Sequence, residues 1–282
     1  MNSVNRMATG MDSDAYHKHP AISRSAMMEL ERTPKHFWYK YMSGLYQDEE
    51  SDALRIGSAF HTLVLEPALL EKSVYVWSGA PRNTKGGKEE YSQALENAAG
   101  RLLIKQSEFN GMKAMAKAIL AEPASSKIIH AKGKIEASFF WHDENYRTEV
   151  KCRPDYYRDD GIVLDLKTCA DASEETFQRS AVNYGYDLQA FMCMEGIERV
   201  TGKRPVDFVF MCVEKEPPHC VAFYSVTPEM LACGEARYHK LMSLYAACRQ
   251  KDEWPGYGHF VRPIAPPEWY VKRLTAQGTT NV

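Results

Sequence analysis

Ile162-Val163-Leu164-Asp165-Leu166-Lys167 is the stretch on which the fold turns. Successive side chains of a strand point to opposite faces, so Ile162, Leu164 and Leu166 share one face while Asp165 and Lys167 share the other. A carboxylate and an ammonium thus project together from an otherwise apolar strand, where burial is costly unless they are paired or bind a metal. Upstream, Arg153-Pro154-Asp155 ends another strand-like run, and the spacing from Asp155 to Asp165 is enough for a hairpin that sets the two carboxylates side by side. Adjacent carboxylates repel, which pushes one toward its neutral form unless a divalent cation lies between them, and oxygen ligands of this kind favour Mg2+ or Mn2+. The plainer alternative is a structural Asp165–Lys167 salt bridge. A second acidic-x-Lys triplet, Glu149-Val150-Lys151, has no Pro-Asp upstream at hairpin distance and sits among Glu144 and Arg147, as the solvent-facing entry of a strand would.

Outward from this centre the chain reads as helices first, then strands. Residues 1–20 form a polar leader. Ser23 caps a short helix running to Glu31, and Thr33-Pro34 restarts one that carries His36, Phe37, Trp38, Tyr39 and Tyr41, a cluster read as core rather than as a base-stacking platform. Asp52 caps a third helix to Glu66, stopped by Pro67, with His61 at the edge of its apolar stripe. Residues 80–88 (Ala-Pro-Arg-Asn-Thr-Lys-Gly-Gly-Lys) break all periodicity and place Arg82, Lys85 and Lys88 on a Gly-rich loop, either solvated or in contact with phosphate. Helical patterns follow over 89–106 and 107–120. Strands are expected over 137–141, 150–157 and 162–167, with Asp159-Asp160-Gly161 as the hairpin turn. A helix over 186–200, strands over 206–213 and 220–226 and a long helix over 228–250 complete a single α/β domain of residues 21–254 with a central mixed sheet flanked by helices. Residues 255–282, with Pro255, Pro263, Pro266 and Pro267, are expected as an extended arm.

Composition bounds the function. The chain has 282 residues, 44% hydrophobic and 26% charged, which excludes a disordered, collagenous or membrane-embedded protein. Its 35 basic and 37 acidic residues argue against coating by nucleic acid through bulk charge, so a polyanion site must be built by folding. Seven cysteines without a Cys-x-x-Cys pair disfavour a disulfide framework and a zinc knuckle, and with no secretory signal the expected location is the cytoplasm.

Pro154-Asp155 followed by Asp165-Leu166-Lys167 resembles the motif of the PD-(D/E)XK nuclease superfamily, with its restriction-endonuclease-like core and here a helical N-terminal part. Gly57-Ser58-Ala59-Phe60-His61 resembles the Gly-x-x-x-His helix of the RecB-like branch, which implies that His61 is a metal ligand and that Gly57 allows close backbone approach. Glu136 matches the acidic residue that precedes the Pro-Asp strand, an exposed strand-end carboxylate being the alternative. Gln189 matches the first residue of that branch's Gln-x-x-x-Tyr helix; Cys193 stands where the tyrosine would be, and Tyr186, one turn before Gln189, would supply an aromatic hydroxyl instead.

The resemblance is strongest to RecE-like exonucleases (exodeoxyribonuclease VIII), through Ile22-Ser23-Arg24-Ser25, residues 34–39, residues 82–88, Cys152-Arg153-Pro154-Asp155 and Pro267-Glu268-Trp269. It implies a 5′ to 3′ exonuclease on double-stranded DNA ends, a ring-like homotetramer and a single-strand annealing partner of the RecT type. Asp155, Asp165, the Leu166 carbonyl and His61 would hold one or two Mg2+ ions, Mn2+ substituting. Lys167 would orient or help deprotonate the attacking water, Gln189 would position it or the phosphate, and Arg82, Lys85 and Lys88 would touch the DNA backbone. With no cysteine before Cys152, no iron–sulfur cluster is expected. An endonuclease with the same site, or a catalytically silent DNA-binding scaffold, are the alternatives.

Overall fold

The computed structural model describes residues 5–47, 52–258 and 260–278. In chain order the elements are β1 (Arg6–Ala8), α1 (Ser13–Lys18), α2 (Arg24–Arg32), α3 (Pro34–Tyr41), α4 (Asp52–Leu65), α5 (Leu70–Ser73), β2 (Val74–Trp77), α6 (Lys85–Ala98), β3 (Leu102–Lys105), α7 (Gln106–Ala121), α8 (Pro123–Ile129), β4 (Gly133–Ile135), β5 (Ser138–Asp143), β6 (Thr148–Cys152), β7 (Tyr156–Arg158), β8 (Ile162–Cys169), α9 (Glu174–Asn183), α10 (Tyr186–Thr201), β9 (Asp207–Glu214), β10 (Val221–Ser225), α11 (Pro228–Lys251) and α12 (Glu268–Gly278).

β8 sits in the middle of a five-stranded mixed sheet of order β10-β9-β8-β7-β4. It runs parallel to β9, with Asp165 opposite Phe210, and antiparallel to β7 across the Asp159-Asp160-Gly161 turn, where Gly161 takes a left-handed φ of 89°. Alternation along β8 divides the core in two. Val163 joins Phe208, Phe210 and Cys212 against α2, α9, α10 and α11. Leu164 and Leu166 join Met211 and Val213 against α4 and α7 on the other face. The strand pair expected to continue into β7 instead breaks at Arg153-Pro154-Asp155. Pro154 has no N–H to give to a ladder, so β6 stays with β1 and β5 in a separate three-stranded sheet while β7 enters the central one.

Side-chain caps explain the helix starts: Ser23 accepts from the Ala26 N–H, and Thr33 accepts from that of His36 ahead of Pro34. The aromatic cluster of α3 divides, with Phe37 in the core and Tyr39 and Tyr41 exposed.

Several expectations are corrected. The Gly-rich stretch is half helix: α6 starts at Lys85 with Thr84 as its cap, and Gly87 is needed because a Cβ there would lie 2.0 Å from the Pro81 carbonyl oxygen. The helix expected over 89–106 ends at Ala98, and Leu102–Lys105 is a strand parallel to β2; an apolar run that short carries no period of its own. Residues 6–19 are built into the fold, with β1 paired to β5 and Tyr16 buried against Phe140. The C-terminal arm carries a helix, α12. Lys151 is buried, not solvent-facing, and its ammonium donates to the backbone carbonyls of Tyr16, His17 and His19. Gly57 lies on the wall of the hollow at the candidate site, and a Cβ there would meet no protein atom within 4 Å.

Gly234 on α11 faces α10, and a Cβ at that position would lie 2.2 Å from the Asp187 carbonyl oxygen. Gly234→Ala should therefore destabilise the fold by roughly 1–3 kcal/mol, because backbone cannot yield to the methyl. Gly111→Ala on α7, with nothing within 4 Å, should be neutral or stabilising. Calorimetric melting of the two variants checks the contrast.

Candidate active site

Asp165 is fully buried at the middle of β8, and side chains from neighbouring parts of the fold gather around it. From the bend after β6, Asp155 turns its carboxylate to β8, where Oδ2 accepts from the Leu166 N–H at 2.6 Å. His61, arriving from α4 on the opposite face of the sheet, bridges the pair: Nδ1 lies 3.4 Å from Asp155 Oδ1 and Nε2 lies 3.0 Å from the Leu166 carbonyl oxygen. Gln189 on α10 donates from Nε2 to Asp165 Oδ2 at 2.5 Å, and its Oε1 accepts from Lys167 at 3.3 Å and from Arg24 at 3.4 Å. Lys167 is ion-paired with Asp165 Oδ1, and its ammonium lies 4.7 Å above the centre of the Tyr186 ring. Tyr186 thus offers its π face, not its hydroxyl, to the site.

Electrostatics follow from this packing. Burial pushes the Asp165 carboxyl up and the neighbouring Asp155 charge pushes it further, against the pull of Lys167. Burial also works on Asp155, but His61, Lys167 and the Leu166 N–H outweigh it and hold that carboxyl below its usual range. Burial lowers His61, yet the charge and hydrogen bond of Asp155 prevail and raise its pKa to about 9. Desolvation likewise opposes the Lys167 ammonium, and Asp165 and Asp155 overcome it, leaving the pKa above the ordinary lysine value.

Among the described residues no three His, Cys, Asp or Glu side chains form a ready metal cage; His61 and Lys167 balance the two carboxylates instead. The donor chemistry nevertheless fits a hard divalent cation. Asp165 Oδ1 is buried and, the Lys167 ion pair apart, accepts no hydrogen bond, and beside it stand the Asp155 carboxylate, the Leu166 carbonyl and an imidazole.

A hollow of about 340 Å3 opens on the cluster, lined by His61, Glu136, Gln189, Arg24, Lys151 and Arg153 among others. Glu136 is held at a left-handed φ of 46°, with Oε2 3.8 Å from Arg153. Sequence reasoning gave no role to Arg24, although the stretch around it was singled out. Its position follows from Ile22, whose N–H and carbonyl bond to Glu149 and Lys151 and so fix the start of α2 beside the site. Arg82, Lys85 and Lys88 line no part of this hollow. Arg82 stacks over Tyr91 at 4.7 Å beside a different depression, and Lys85 pairs with Glu89. Cys193 lies buried, and its neighbour Cys152 together with burial pushes its thiol well above the ordinary cysteine value.

An imidazole whose pKa is raised from 6.5 to about 9 adds stability that is complete below about 6.5 and lost as pH rises through 9. NMR titration of the metal-free protein should place the His61 midpoint near 9. In Asp155→Asn it should fall by ~1 unit or more, because burial then acts with less opposition.

Comparison with known proteins agrees with the geometry. Among curated proteins none matches the chain. Of the solved structures, an exonuclease candidate from Eubacterium rectale aligns over 95% of this chain and 99% of its own with a TM-score of 0.61 at 15% identity, a likeness of fold. The protein SSO0001 aligns over 66% of this chain and 86% of its own with a TM-score of 0.28 at 12% identity, too low to argue from. Residues 23–261 match the family described as a PDDEXK-like domain of unknown function, DUF3799, and with so much of its length covered the chain belongs to that family.

Proposed function

We propose that this nuclease-fold chain is a divalent-metal-dependent exonuclease acting on the ends of linear double-stranded DNA, with 5′ to 3′ polarity. The observation that carries the reading is the buried Asp165 with the largely covered Asp155 leaning on the same strand beside it, the one paired with Lys167 and the other with His61. A purely structural pair of this kind is a poor source of stability, since apolar residues of similar volume serve as well or better. The choice of an exonuclease rests on the RecE resemblance and on the description of the E. rectale neighbour as an exonuclease candidate. The same resemblance supports a ring of four subunits and a RecT-type annealing partner.

Asp155, Asp165, the Leu166 carbonyl and His61 would hold Mg2+ or Mn2+, which would polarise the scissile phosphate and offset the charge that builds on it. Lys167, fixed by Asp165, Gln189 Oε1 and the Tyr186 ring, donates toward the attacking water and the phosphate oxygens. Gln189 keeps Asp165, Lys167 and Arg24 in register, so that Arg24 presents its remaining donors to a phosphate at the mouth of the hollow. Glu136, exposed enough to meet water, is placed to orient it.

Linear duplex labelled at the 5′ or the 3′ end should be degraded with Mg2+ and spared in EDTA, the 5′ label being released first, while covalently closed circles persist. Asp165→Asn should cut the rate by roughly a thousandfold or more, the several kcal/mol a metal ligand contributes, with the melting temperature measured alongside. Full activity in that variant, or equal cutting of closed circles, contradicts the assignment.

A further inference from the structure

The aromatic residues of α3 that stay out of the core lie beside a second hollow. Phe37 is buried against Tyr245 and Trp254, but Tyr41 keeps 41% and Tyr46 38% of its surface in water. Between these two rings sits the Lys40 ammonium, 5.9 Å from the centre of Tyr41 and 5.2 Å from that of Tyr46, held also by Glu29 at 3.3 Å. The hollow has a volume of about 560 Å3, and Tyr41, Tyr46, Lys40, Phe37 and His19 contribute to its wall. It shares His17, Ser23 and Lys151 with the hollow on which His61 and Gln189 open, so the two adjoin. At that shared wall the buried Lys151 amine donates to three backbone carbonyls, and burial with the neighbouring Arg153 lowers its pKa to about 8.

Two part-exposed tyrosines with a lysine between them, in a hollow that adjoins the candidate site, are the parts of a single-strand site. Every base has a π face on which to stack, and phosphates are drawn along the cations. Paired bases hide their faces in the duplex, so such a site ignores intact double helix. We propose that this second hollow binds unpaired bases of a single-stranded tail adjoining the duplex end in the active site. The proposal rests on the nuclease reading above and adds to it a place for the unpaired strand.

The test uses the full chain carrying Asp165→Asn, in EDTA, with fluorescence anisotropy on three labelled DNAs: a blunt duplex, the same duplex with a single-stranded tail, and the same with an abasic tail. The tailed duplex should bind roughly tenfold or more tighter than the other two. Adding Tyr41→Ala and Tyr46→Ala together should remove that advantage and leave blunt-duplex binding unchanged, while Tyr41→Phe with Tyr46→Phe should keep it. The proposal is overturned if the alanine pair leaves tailed binding intact, if it weakens the blunt duplex equally, or if the abasic tail binds as well as the normal one. Digestion of linear duplex by the unmutated chain is measured separately. Normal digestion with any of those three results removes the stacking site alone; no digestion together with no binding of any DNA removes both readings.

Discussion

Two carboxylates that cannot stand bare in an apolar sheet organise this molecule. Asp165 is buried at the centre of β8 and Asp155 leans on the same strand through the Leu166 N–H, so their charges must be answered within a few ångströms. The answers come from both faces of the sheet, with Lys167 and Gln189 on the α10 side and His61 from α4. Each partner is in turn fixed by something else: Lys167 by the Tyr186 ring, Gln189 by Arg24, His61 by the Leu166 carbonyl. Such mutual support is what holds a reactive cluster in one geometry.

The apolar packing around the cluster serves the same end. Alternation along β8 sends Val163 into one half of the core and Leu164 and Leu166 into the other, so the strand cannot slip by one residue without burying the wrong set. That register fixes Asp165 and Lys167 toward α10. Gly234 lets α11 press closely against α10 at Asp187, and Pro154 ends one sheet so that Asp155 can turn into the other.

Much of this was legible in the residues themselves, because period-two alternation, a proline before an aspartate and capping residues are local signals. The β8 face, the starts of α2 and α3 and the pairing of Asp155 with Asp165 follow from neighbours within a dozen positions. What stayed hidden depends on distant partners. Lys151 reads as a surface lysine until the carbonyls of residues 16–19 surround it, and Arg24 acquires a role only beside Gln189, on a helix far along the chain. The short strands β2 and β3 have too few residues for a period and exist because they pair with one another. Arg82 and Lys85 likewise have neighbours that composition does not show, the Tyr91 ring and Glu89.

The N-terminal stretch gives the protein a physical boundary earlier than its family boundary at residue 23. Carbonyls of Tyr16, His17 and His19 enclose the Lys151 ammonium, and that of Met11 accepts from Arg153. Cut away, this stretch would strip the buried Lys151 of its three carbonyl acceptors and Arg153 of one of its partners, Ser138 and Glu136 remaining to the latter, and a buried ammonium without acceptors is a severe defect. A stretch that reads as a polar leader thus belongs to the dielectric lining of the candidate site, and its loss would be felt as a change in the field there before it was felt as a missing piece of surface.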